Sequence, residues 1–116
     1  MKRLILLLLL IPTLAFAETL SWEPPTTYAD GTPLNPLTDL SEYRLYCEDV
    51  VTVVPASSTD NQYVIKKYEA LPGYGTWDCY LTAVGTDNLE SEPSNTVAIL
   101  YEKTGPAKPI NLIILE

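Results

Sequence analysis

Few side chains in this chain are equipped for chemistry, and their types narrow the choice. It has two cysteines, Cys47 and Cys79, and no histidine. Without imidazole there is no histidine-based triad and no imidazole metal site. Two cysteines alone make no convincing zinc or redox centre, and no glycine-rich phosphate loop is present. Asp30, Asp39, Asp87, Asn88, Glu90 and Glu92 fall in loop-like stretches. Calcium takes oxygen ligands of this kind, but acidic loop residues are more often only solvated, so neither metal nor cofactor is expected. A paired-carboxylate glycosidase needs two acids across a substrate cleft, for which a domain this small leaves little room. Tyr28, Tyr68 and Tyr74 are loop or near-loop aromatics with surface to offer a glycan or a protein. Their ordinary role is as shoulders of the core or isolated surface rings. The expectation is a non-enzymatic chain.

The elements that position these residues read as strands. In Trp77-Asp78-Cys79-Tyr80-Leu81-Thr82-Ala83-Val84, apolar residues recur at every second place. That period puts Trp77, Cys79, Leu81 and Ala83 on one face of a strand and Asp78, Tyr80 and Thr82 on the other. Tyr43-Arg44-Leu45-Tyr46-Cys47 alternates in the same way. Further short strands are expected at 19–22, 50–54, 62–67 and 96–101, with Val64 facing the core. Between them lie a loop at 26–39 with an Asp30-Gly31 turn, a polar turn at 57–61, a turn at Leu71-Pro72-Gly73 and a polar loop at 86–95. Regularly spaced short strands without helical periodicity predict an all-β, antiparallel β-sandwich.

Met1-Lys2-Arg3 is basic, 4–14 is almost wholly apolar, and Ala15-Phe16-Ala17 has small residues at its first and third places. This is the pattern of a secretory signal peptide, 1–17, cleaved after Ala17. A membrane anchor is the rival, but the apolar run is shorter than the ~20 residues of a spanning helix. No stable span is expected after cleavage. The mature chain would have 99 residues, with five basic side chains against 15 acidic ones and a net charge of −10. Nucleic acid is an improbable partner for so acidic a surface. Secretion, the periplasm or a cell surface is the expected location.

Four motifs in order resemble a fibronectin type III domain. Leu20-Ser21-Trp22-Glu23-Pro24-Pro25 looks like that family's second strand with its core tryptophan. Tyr43-Arg44-Leu45-Tyr46 resembles the third strand. Leu71-Pro72-Gly73 with Trp77, Leu81, Ala83 and Val84 resembles the corner and sixth strand. Glu92-Pro93-Ser94-Asn95 with Val97 resembles the approach to the last strand. The resemblance implies an immunoglobulin-like sandwich over 18–103, with Trp22, Tyr43, Leu45, Leu71, Trp77, Leu81 and Ala83 in its core. The family usually has tyrosine at the corner where Trp77 stands, and an indole N–H donates but cannot accept.

In that family the strands holding Cys47 and Cys79 are antiparallel neighbours, which implies an intrachain disulfide, favoured in an oxidising compartment. Pairing the two sets Leu45 opposite Leu81 and Tyr43 opposite Ala83. Two buried free thiols are the alternative.

The family's first strand is missing before Thr19. After a Pro/Gly linker at 104–109, the tail 110–116 resembles that strand through Pro109, Asn111, Leu112 and Ile114, which implies Ile110, Leu112 and Ile114 as its strand-donating residues. So apolar a strand, left unpaired, invites aggregation. It either runs back to fill the vacant edge of its own domain, enters that edge in another molecule by strand donation, or stays free. The stretch 102–109 reaches at most roughly 25–28 Å when extended, so the return path is tight. Two functions from different classes follow. One is an exported structural or interaction subunit, assembling through its C-terminal strand. The other is a monomeric module whose loops recognise a carbohydrate or a surface protein.

Overall fold

The computed structural model describes residues 18–56 and 61–116. The expected signal peptide and most of the expected turn at 57–61 lie outside the described residues. The chain forms β1 (Thr19–Ser21), β2 (Leu40–Cys47), β3 (Val50–Pro55), β4 (Gln62–Val64), one helical turn α1 (Lys67–Ala70), β5 (Gly75–Gly85) and β6 (Val97–Tyr101). These make two antiparallel sheets, a two-stranded β1-β4 and a four-stranded β3-β2-β5-β6. The all-β class read from the alternation is the class observed.

β2 and β5 pair in the register that sets Tyr43 opposite Ala83, Leu45 opposite Leu81 and Cys47 opposite Cys79. The two cysteines are joined by a disulfide, with their Cα atoms 4.4 Å apart. That is the spacing, about 4.5 Å, of an antiparallel pair that does not exchange ladder hydrogen bonds. Both sulfurs are fully buried, beside Leu45, Ile65, Leu71 and Ile99. Side chains of both sheets share this cluster, since Leu20 of β1 and Tyr63 of β4 pack against it. A second cluster of Leu34, Leu40, Tyr43 and Ala83 lies under Trp22. Of the residues expected in the core, Tyr43, Leu45, Leu71 and Ala83 are buried. Trp22, Trp77 and Leu81 are partly buried and packed against the clusters.

Three local expectations need correction. Val64 is 57% exposed and Ile65 only 7%, so the inward phase of β4 is Tyr63 and Ile65. The alternation Tyr63-Val64-Ile65 fits either phase, and pairing with β1 decides it. The strand expected over 62–67 stops at Val64. Main-chain bonds from Glu69 and Ala70 N–H to Lys66 O, and from Leu71 N–H to Lys67 O, then wind α1, and this turn drops Ala70 and Leu71 into the core. Thr82 was placed on the wet face, yet it is buried, because the chain after β5 folds back and sets Glu90 on its hydroxyl.

The corner is closed by a donor. Trp77 Nε1–H donates to Gly73 O at 2.9 Å, so the indole fastens the start of β5 to the turn before it. The β2–β3 hairpin turns on Glu48 and Asp49, with Glu48 at φ 56°. The loop after β1 is a small hairpin of its own. Gly31, at φ 91°, donates to Tyr28 O, and Tyr28 N–H donates to Thr32 O. Such a turn with one residue in the left-handed region favours glycine at that place.

Candidate functional site

Of the candidate loop residues, Asp30, Asp39 and Asp87 are occupied in closing turns. Asp30 Oδ1 accepts from Thr32 N–H and Oγ1, which holds its carboxyl below the ordinary range. Asp39 Oδ2 accepts from Asn35 N–H, and Asp87 Oδ1 accepts from Leu89 N–H. Glu90 accepts from Thr82 Oγ1 at 2.6 Å and from Tyr46 Oη, and Arg44 Nη1 lies 3.3 Å away. The Thr82 and Tyr46 hydrogen bonds, with Arg44 nearby, lower its pKa. Among the described residues, no three of His, Cys, Asp and Glu are arranged to hold a metal ion. Tyr28, Tyr68 and Tyr74 are exposed, on the first hairpin, on α1 and before β5. Tyr74 leans on Tyr101 with ring centroids 4.8 Å apart. The three lie on separate segments.

The tail is different. Residues 102–116 have no regular secondary structure. Ile110 is 71% exposed, Leu112 97% and Ile114 87%, and Ile113 and Leu115 are exposed as well. The tail therefore does not fill an edge of its own molecule. Asn111, at φ 59°, has a left-handed conformation that asparagine tolerates.

β1 has β4 on one side and no strand among the described residues on the other. The hydrogen bonds Ile65 N–H to Glu18 O and Trp22 N–H to Asn61 O fix which groups point to β4. In an antiparallel ladder these pairs alternate, so Leu20 also faces β4, while Thr19 and Ser21 direct N–H and C=O to the open side. Along that side a groove of about 100 Å³ opens between the two sheets, lined by Leu20, Trp22, Leu45, Leu81 and Val97, among others.

The facing wall of this groove, which includes Ser94 and Asn95, is guarded. Residues 89–96 run beside β5, and Ser91 and Ser94 supply the rungs. Ser91 N–H donates to Ala83 O and Ser94 N–H to Leu81 O. Their hydroxyl oxygens accept from Ala83 N–H and Leu81 N–H, each at 2.9 Å. Pro93, between them, presents no N–H to a further strand. Lys67 Nζ donates to Leu100 O on the outer side of β6 and reaches Glu18 at 2.8 Å.

The sequence pointed to Ile110, Leu112 and Ile114 through the apolar tail and its resemblance to an opening strand. It gave no sign of the groove, because that depends on where Val97 comes to rest relative to Trp22. No protein-family model, curated protein or solved structure matches the chain.

Proposed function

We propose that this chain is an exported, non-enzymatic module of the fibronectin type III kind, with a structural role fulfilled by association through its C-terminal strand. The observation that carries this reading is the coexistence in one chain of an exposed apolar tail, 110–115, and an edge of β1 with no partner strand among the described residues. Neither is comfortable in water, and each is what the other lacks. The strand orders β1-β4 and β3-β2-β5-β6 support an immunoglobulin-like sandwich in which no strand among the described residues takes the first strand's place. A disulfide-linked, strongly acidic chain with a leader-like N-terminus suits a secreted, periplasmic or surface location. Head-to-tail donation does not close on itself, so it builds a filament.

The second reading is a monomer that binds a carbohydrate or a protein through its loops. Only the exposure of Tyr28, Tyr68 and Tyr74 favours it, and these lie on separate segments.

Light scattering on residues 18–116, beside a version ending at Lys103, tests the proposal. Oligomers that grow with concentration in the longer chain and are absent from the shorter one are the expected result. A monomer in both, over the same range, would overturn it and move the search to the loops.

A further inference from the structure

Resting on that assembly, we infer that the donated strand of a second copy lies antiparallel along β1 in one register. Leu112 sits opposite Trp22, Ile113 opposite Ser21, Ile114 opposite Leu20 and Leu115 opposite Thr19.

Four observations fix this arrangement. First, only Thr19 and Ser21 turn their N–H and C=O groups to the open side of β1, through the ladder alternation set by the Glu18–Ile65 and Trp22–Asn61 bonds. The incoming residues that exchange hydrogen bonds must therefore face these two. Second, directly opposed residues of an antiparallel pair share a face of the sheet. Leu20 and Trp22 face the groove, so the residues opposite them do too. Leu112 and Ile114 have the matching spacing. A cavity of roughly 150 Å³ admits a benzene ring, so this groove of about 100 Å³ suits aliphatic side chains.

Third, Asn111 holds a left-handed conformation just before Leu112. A strand beginning at Leu112 leaves that residue undisturbed. Sliding the tail by two residues, to put Leu112 opposite Leu20, would set Asn111 opposite Ser21 and force it to straighten. Fourth, the flank along β5 and β6 carries Pro93 and the Lys67–Leu100 contact, which leaves fewer groups there for a guest. The outer edges of β4 and β3 are the remaining competitors; β4 is only three residues long, and β3 has Val51 and Val53 exposed and Pro55 at its end.

The occupant is a second copy rather than the same chain. Lys67 touches both Glu18 and Leu100 O, so β6 leaves the domain at the Glu18 end of β1. An antiparallel guest must begin at the Trp22 end. The chain's own tail would have to traverse the domain first, and in the structure it does not.

The test mixes two singly substituted full-length mature chains, Ser21→Cys in one and Ile113→Cys in the other, under mild oxidation at the concentration where assembly occurs. Opposed residues of a hydrogen-bonded antiparallel pair have Cα atoms about 5.5 Å apart, within disulfide range. Both positions are exposed, so neither change disturbs the fold. The expected result is a covalent mixed dimer whose linked peptides contain positions 21 and 113, and a much smaller yield when Val53→Cys replaces Ser21→Cys. A dimer through position 53 and not 21 would overturn this register while leaving assembly through the tail intact. Cross-linking within a single chain carrying both substitutions, in a sample that stays monomeric, would overturn the choice of a second copy. No cross-link in a sample that light scattering shows to be assembled would overturn the acceptor edge. No assembly at all would sink the underlying reading with it.

Discussion

Glu48 and Glu90 show how single residues set conditions on this fold. Glu48 holds φ 56° in a two-residue hairpin turn, a conformation that costs an ordinary L-residue roughly 1–2 kcal/mol. Glu48→Gly should therefore stabilise the chain, by about 0.5–1 kcal/mol once the added freedom of glycine in the unfolded state is set against it. Urea midpoints check this. Glu90 has its carboxyl lowered by the hydrogen bonds from Thr82 and Tyr46. The folded chain thus binds that proton less readily than the unfolded chain. The stabilisation is complete above the unfolded pKa of roughly 4.3 and disappears as pH falls through the lower folded value. Urea midpoints of the native chain should drop across that window, and Glu90→Gln should show a smaller drop. Parallel curves for the two would refute the role given to Glu90. None of this is legible from composition. Glu90 was one of six candidate loop residues in the sequence, and only the return of the chain onto β5 distinguishes it. The Trp77 corner was half legible: an indole N–H only donates, which marks a differently built corner, but nothing in the sequence named Gly73 O as the acceptor.

At the scale of elements, alternation within a strand carried far more information than the loops did. The register of β2 on β5 followed from the two cysteines once the strands were taken as neighbours, since one fixed pair determines all others in a ladder. The disulfide closes a loop between residues 32 apart, worth about 3–4 kcal/mol by chain-entropy arithmetic. Reduction should lower the urea midpoint accordingly. Other features depend on interruptions of the period. A register shift between Leu40 and Glu42 lets Leu40 and Tyr43 both face inward, which simple alternation forbids. α1 has too few residues to show a period. The segment at 89–96 follows β5 with serine hydroxyl oxygens accepting in place of main-chain carbonyls, and no strand pattern announces it. Ser91→Ala and Ser94→Ala should each cost about 0.5–1.5 kcal/mol, with faster hydrogen exchange at Ala83 and Leu81 amides respectively. Unchanged exchange there would mean that water replaces the hydroxyls without loss.

For the whole molecule, the tail decouples folding from association. Leu112 and Ile114 are exposed in the single chain, so replacing both with Ser should leave thermal unfolding of the dilute monomer unchanged. If the tail enters another copy, the same change should abolish the rise in melting temperature with concentration that ligand-like stabilisation produces. Melting curves at several concentrations separate the two effects. The sequence exposed the tail as an orphan strand but left open where it goes, because that depends on the direction in which β6 leaves the domain.

The free tail and the bare β1 edge also fix the arithmetic of growth. Under the proposed assembly each chain is a two-ended monomer, and any open row displays one vacant edge and one unspent tail. A chain ending at Lys103 keeps the edge but has nothing to pass on, so it is a terminator. Mixed in as a minority, it should cap rows without poisoning their folding. Their mean length should then track the ratio of complete to shortened chains.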